Sequence, residues 1–235
     1  PIELTPCHVE PLAEQVLCAV HEVYEDRDAG RGRTIPVHIA VLPPLRGVSE
    51  PDPLFILMGG PGQGARSFAA AAALYFTEVR RTRAIVLVDL RGTGDSRPLR
   101  CRIDADEMDT LGGVRTPFFV DGRACAAELD ADPRQYTHAA ALADLDDIRR
   151  RLGFARINLW GGSWGTRAAL IYALTYPQAT RRVVLDGAVP IEMEFPRSAA
   201  VDAQRAIDLV LGRCAGDPIC ASAFPDPARD LGTLL

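Results

Sequence analysis

The sequence predicts an α/β protein: a mostly parallel sheet with helices on both faces, opened by an antiparallel hairpin and followed by the start of a smaller helical subdomain. Three observations predict it. Apolar, strand-sized runs at 54–58, 84–88, 157–160 and 182–187 alternate with helix-permissive stretches, the pattern of parallel strands joined by crossover helices. The first two of these runs are apolar throughout, as expected of strands buried on both faces. The third meets glycines around one serine, Gly161-Gly162-Ser163-Trp164-Gly165, and a helix-permissive run follows until Pro177 ends it.

Taken in order, residues 1–16 read as an irregular lead-in. Val16–Tyr24 and Thr34–Leu42 read as strands, the second alternating at Ile35, Val37, Ile39 and Val41, and the polar stretch 25–33 turns them into a hairpin. Prolines and glycine make 43–53 a surface loop. The apolar run 54–58 then enters Gly59-Gly60-Pro61-Gly62-Gln63-Gly64, and alanine-rich 65–79 reads as one helix. A strand at 84–88 ends in Asp89-Leu90-Arg91-Gly92-Thr93-Gly94-Asp95-Ser96. The irregular excursion 97–136 reads as a surface insertion stapled by cysteines, since loops of that length are usually functional or locally structured. A helix at 137–152, the strand–Ser163–helix unit and a strand at 182–187 complete the alternation. After Pro190 the pattern changes: a helix at 198–211, the Cys214/Cys220 loop and a proline-rich end. The expected division is 1–190 for the α/β core and 191–235 for the helical subdomain.

Composition narrows the function classes. With 235 residues, 48% of them hydrophobic, the chain can build one large core, or one domain and part of a second. Net charge is −5 with no lysine- or arginine-rich run, which argues against nucleic acid as a partner. No stretch approaches the roughly 18 apolar residues of a membrane span. The chain starts at Pro1, which decides nothing about a removed signal segment. Six cysteines fall into local pairs, Cys7 with Cys18, Cys101 with Cys125 and Cys214 with Cys220. Disulfides are the expected state and imply an oxidising compartment, so an exported protein: periplasmic, secreted or attached to the cell envelope. Two alternatives stand beside that. His8 and His21 flank the first pair without matching a common zinc spacing, and free cysteines can pack as small hydrophobes.

The glycine–serine stretch carries the chemistry. Between a strand and a helix, Gly-x-Ser-x-Gly forms a turn that holds the serine hydroxyl out at the tip of the sheet. Ser163 is the candidate nucleophile. The alternative, a phosphate-binding turn, fits neither the G-x-G-x-x-G nor the P-loop spacing. A serine needs a base and donors for the oxyanion of a tetrahedral intermediate. The expected donors are the backbone N–H groups of Trp164, directly after the serine, and of Gly60, in the glycine loop of an earlier strand. A mere tight connection is the plainer reading of that loop.

These motifs, Gly59-Gly60-Pro61-Gly62, Asp89 to Ser96 and Gly161 to Gly165, occur in the order seen in the α/β-hydrolase fold. In combination they resemble its proline iminopeptidase and tripeptidyl aminopeptidase branch, over about residues 30–190. The cysteine pairs and Val184-Leu185-Asp186-Gly187 resemble the exported, tripeptidyl-aminopeptidase-like members. The resemblance implies a serine exopeptidase that takes residues from free peptide N-termini through an acyl-enzyme, with no metal or cofactor. It also implies a helical cap over the site whose acidic groups bind the substrate amine. Glu192 and Glu194 lie where a cap would begin, though solvated loop carboxylates are the commoner case.

One departure is plain. In this fold the acid and the histidine follow the serine, yet His8, His21, His38 and His138 all precede Ser163. Asp186 could serve as an acid, but bracing the turn is its commoner role. The acid and histidine are therefore expected from a C-terminal segment or a second chain. Two other readings remain open: an esterase or lipase on the same scaffold, and a non-catalytic hydrolase fragment.

Overall fold

Strand β2 (Val16–Tyr24) and strand β3 (Thr34–Leu42) form the expected antiparallel hairpin, with Leu17 opposite Val41 and Tyr24 opposite Thr34. A computed structural model of the chain describes residues 1–47, 49–100, 108–111, 114–117, 122–194 and 197–234. The lead-in is not wholly irregular. Strand β1 (Thr5–Cys7) pairs antiparallel with β2, placing Cys7 opposite Val16, and a disulfide joins Cys7 to Cys18. With both sulfurs bonded to each other, this pair is not a thiolate metal site. Cys101 lies outside the described residues, and with it the expected pair with Cys125.

Strand β4 (Leu54–Leu57) and strand β5 (Ile85–Val88) are buried along their whole length, as continuous apolar runs require. Between them the alanine-rich stretch is not one helix. A single tight turn at Ala65–Phe68 leads into helix α1 (Ala69–Tyr75), and helix α2 (Thr77–Arg80) follows a break at Phe76. The Thr77 hydroxyl donates back to the carbonyls of Ala73 and Leu74. The Phe76 ring packs edge-on against Trp160, with centroids 5.5 Å apart. Within the excursion the described elements are the hairpin β6 (Met108–Leu111) and β7 (Val114–Pro117) and helix α3 (Gly122–Glu128). Helix α4 (His138–Arg151) starts at the expected place, where the Thr137 side chain accepts from the Ala140 N–H. Strand β8 (Ile157–Gly162), helix α5 (Trp164–Thr175) and strand β9 (Thr180–Asp186) complete the first unit, residues 1–189.

The sheet runs β1-β2-β3-β5-β4-β8-β9, with β5, β4, β8 and β9 mutually parallel. Strand β4 lies between β5 and β8, so the chain steps to one side of β4 and then crosses back to the other. The reversal opens a crevice at the C-terminal ends of β4 and β8, the place where open α/β sheets bind ligands. Alternate residues of the strands feed two cores. Phe55, Leu57, Val86 and Val88 pack with Leu142, Leu145, Ile148, Ala168 and Tyr172 from α4 and α5. Leu54, Ile56, Ile85 and Leu87 pack with Ala65, Ala69 and Ala72. Helices thus cover both faces.

At the opposite end of the sheet, Asp52 gathers strand starts. Its carboxylate accepts from Asn158 Nδ2 at 2.7 Å and Arg83 Nε at 3.0 Å, and also from Arg181. Burial alone would raise its pKa, but these donors outweigh it and hold the group down at about 2.

The second unit, residues 190–235, contains helix α6 (Arg197–Gly216), helix α7 (Pro218–Ala223) and helix α8 (Pro227–Leu234). Asp217 caps α7 by accepting from the Ile219 and Cys220 N–H groups, and a disulfide joins Cys214 to Cys220.

Candidate active site

Ser163 occupies a backbone conformation that only glycine adopts freely, φ +51° and ψ −120°. The sequence around it explains why it can be held there. A Cβ on Gly161 would lie 2.5 Å from the Gly165 carbonyl oxygen, and one on Gly165 would lie 2.0 Å from the Leu57 carbonyl oxygen. Only glycine at both positions lets β8 turn into α5 against the end of β4. Three hydrogen bonds then lock the turn. The Ser163 N–H donates to the Asp186 carbonyl at 2.7 Å, and the Thr166 N–H and hydroxyl donate to the Ser163 carbonyl at 3.0 and 2.7 Å. Thr166, fully buried, also accepts from the Val189 N–H at 2.8 Å, tying the segment after β9 to the turn. Asp186 does brace the turn, but through its backbone carbonyl; its side chain is exposed.

The Ser163 side chain is exposed in an open cleft of 590 Å³ lined by Met58, Gly59, Gly60, Gln63, Gly162, Ser163, Asp186 and Gly187. The glycine loop after β4 and the serine turn after β8 therefore face one another across the switch point. They are close: a Cβ on Gly59 would sit 3.0 Å from the Ser163 Cβ and 3.3 Å from the Trp164 nitrogen. Gly60 holds φ +109° in this loop. Neither the Gly60 nor the Trp164 N–H donates a hydrogen bond among the described residues. Trp164 opens α5, where the first N–H groups have no acceptor within the helix and the macrodipole favours negative charge.

The histidines lie elsewhere. His21 Nε2 meets Asp147 Oδ2 at 2.9 Å, His8 is exposed in the lead-in, and the His38 N–H donates to Ser96 Oγ on the hairpin side of the sheet. His138 is half-buried against the Trp164 ring, centroids 5.8 Å apart, but does not line the Ser163 cleft. Among the described residues no histidine lines it. Glu192 and Glu194 are both exposed in the second unit.

The structure also gives roles to residues that the sequence left without one. Asp89 is buried, accepting from the Arg66 N–H at 2.9 Å and the Asp95 N–H at 3.1 Å, so one carboxylate fixes the end of the glycine loop to the loop after β5. Gly94, at φ +51°, makes room for it: a Cβ there would lie 2.2 Å from Asp89 Oδ2. Arg91 is likewise buried. It donates to both oxygens of Asp144 on α4, at 2.6 and 3.0 Å, and to the carbonyls of Tyr24, Glu25 and Gln135. The motif Asp89 to Ser96 was the available signal, but the partners of its residues lie up to 67 positions away.

Comparison with known proteins agrees with this architecture. The serine protease Hip1 of Mycobacterium tuberculosis is 28% identical over an alignment 261 positions long, gaps included, covering 97% of this chain and 48% of that protein. A probable proline iminopeptidase of Streptomyces coelicolor is 33% identical over 135 residues, 57% of this chain and 32% of that protein. A proline iminopeptidase of Neisseria meningitidis is 30% identical over 140 residues, 59% of this chain and 34% of that protein. The chain thus spans about half the length of the Hip1 proteins and about a third of the proline iminopeptidases is matched. The family described as the alpha/beta hydrolase fold matches residues 52–209, from just before β4 into α6 and across both loops of the cleft, and the chain belongs to that family.

Proposed function

We propose that this chain carries the nucleophile and oxyanion site of a serine peptidase that removes residues from free peptide N-termini. The observation that carries the reading is the pairing across one crevice: Ser163, held at φ +51°, beside two backbone N–H groups that have no acceptor among the described residues. In this reading the Ser163 hydroxyl oxygen adds to the scissile carbonyl carbon. Its proton passes to a base, and the carbonyl oxygen takes the negative charge facing the Gly60 and Trp164 N–H groups. The C–N bond then breaks, the amine leaves with a proton, and water hydrolyses the resulting ester. The peptidase relatives support a peptide substrate. Residues 1–190 are the hydrolase core and 191–235 the beginning of a helical cap. The disulfides support an exported protein.

The cleft without a histidine favours a second statement: the base and its acid come from a C-terminal segment or a second chain, and the 235 residues alone are poorly armed. Loss of one triad member leaves only the residual effect of the oxyanion hole and binding. The test is reaction of the purified chain with a fluorophosphonate, followed by peptide mapping. Slow labelling confined to Ser163, accelerated when downstream sequence from a longer homologous chain is supplied, is the expected result. Labelling elsewhere, with Ser163 untouched in the supplemented protein, would sink the assignment. Turnover of nitrophenyl esters without turnover of peptidyl amides would make it an esterase instead.

A further inference from the structure

Behind the glycine loop lies a second cavity, of 320 Å³, which no step above uses. It shares Met58, Gly59 and Gln63 with the Ser163 cleft and is walled by the Trp164 side chain, so it adjoins the site where a substrate carbonyl would sit. Its volume is at the lower end for small-molecule pockets, the size for one large side chain rather than a cofactor. Most of the wall is apolar: Leu57, Val88, Leu90, Leu99, Ala141 and Ala168.

The polar groups in that wall differ in what they can still do. Arg91 is saturated by Asp144 and three carbonyls. Thr93 donates to the Leu90 carbonyl at 2.8 Å. The Tyr136 hydroxyl donates to Glu25 at 3.0 Å; burial and then this carboxylate push its pKa up to about 12, so it stays protonated and occupied. Gln63 is exposed to water. His138 is the exception. Half-buried at the first turn of α4, its imidazole makes no hydrogen bond among the described residues and lies against the Trp164 ring. Neither of its ring nitrogens is among the fully buried polar atoms without a partner, so both stay open to a group that enters the cavity. Burial, and then the charge of Arg167, lower its pKa, which leaves it neutral and able both to donate and to accept.

We propose that this cavity seats an aromatic side chain bearing a hydroxyl, of the tyrosine class, with His138 as its hydrogen-bond partner and Trp164 and Tyr136 as its aromatic walls. That this side chain belongs to the acyl part of the substrate rests on the reading of Ser163 as the nucleophile; the binding itself does not.

The test uses p-cresol and toluene, which differ by the hydroxyl alone, and the whole 235-residue chain labelled at histidine. In NMR, millimolar p-cresol is expected to shift the His138 ring resonance, identified by its loss in His138→Ala, and to leave His8, His21 and His38 in place. Filling the cavity with Ala141→Leu abolishes the shift. By Trp164 fluorescence in a Trp160→Phe background, His138→Ala weakens p-cresol about tenfold, as for one lost hydrogen bond, and toluene less than twofold. A His138 resonance unmoved by p-cresol, a shift that survives in a folded Ala141→Leu chain, or equal weakening of both ligands would each overturn the proposal. Should Ala141→Leu fail to fold, the p-cresol and toluene comparison in His138→Ala decides. None of these readouts needs a reactive Ser163, so a chain that resists fluorophosphonate still tests the pocket.

Discussion

At the scale of single residues, the site is a case of strain kept for position. A serine at φ +51° and ψ −120° stores on the order of 1–3 kcal/mol relative to a relaxed backbone. Its hydroxyl makes no hydrogen bond among the described residues that would offset this. Glycine at the same place would keep the turn's backbone bonds and shed the strain. Ser163→Gly is therefore expected to raise stability by about 1 kcal/mol, seen as a higher urea midpoint, while losing all fluorophosphonate reaction. An unchanged or lower midpoint would mean that the turn is not strained. This much was legible in the sequence because it is local: Gly161 and Gly165 bracket Ser163 within five positions, and sterics fix what they must do. Asp89 and Arg91 were not legible in the same way. Their residue types announced a motif, but Arg91 acts through Asp144, 53 positions on, and only the fold brings the two together.

Elements were legible where pattern and pairing agree. The alternation of Ile35, Val37, Ile39 and Val41 marked β3 residue for residue, because that face is core along its whole length, the other only at Ala40 and Leu42, and the turn at 25–33 sets its register. Strand β1 escaped notice because three residues that include Pro6 carry no periodicity; its pairing with β2 and a disulfide hold it. The break between α1 and α2 escaped too, since high alanine content favours helix throughout and the stop comes from tertiary contacts of Phe76. At this scale Asp52 makes a prediction about pH. It draws together the segment before β4, the start of β8 through Asn158, and β9 through Arg181. Its folded pKa of about 2 lies below the unfolded value of about 3.9. The group therefore binds protons more readily when unfolded, and its stabilisation is complete above pH ~4 and lost as pH falls toward 2. Urea midpoints measured across that window should fall more steeply for the natural chain than for Asp52→Asn. Parallel curves would show that the lowered pKa has no consequence for folding.

At the scale of the sheet, β9 is the last strand in the order, and among the described residues nothing pairs with its outer edge. Strand β9 pairs only with β8, and its residues from Val184 to Asp186 are exposed, Val184 by 54% and Leu185 by 37%. An edge strand with exposed apolar residues and unpaired N–H and C=O groups is a template for another strand, and Val184 and Leu185 lie beyond the charges of Arg181 and Arg182. The cleft leans on β9 through its backbone alone, the Ser163 N–H donating to the Asp186 carbonyl, while Gly161, Gly165 and Thr166 hold the rest of the turn and Asp89 the glycine loop. The chain can thus fold a well-formed nucleophile turn and still be prone to join edge to edge. Val184→Lys places a charge on the exposed strand, the device natural edges use against such pairing. Sedimentation of the natural chain should show concentration-dependent self-association that Val184→Lys reduces, with fluorophosphonate reactivity per folded chain unchanged. If the natural chain stays monomeric at high concentration, its β9 edge is protected by something other than side-chain charge. If Val184→Lys associates as readily as the natural chain, the contact lies on another surface.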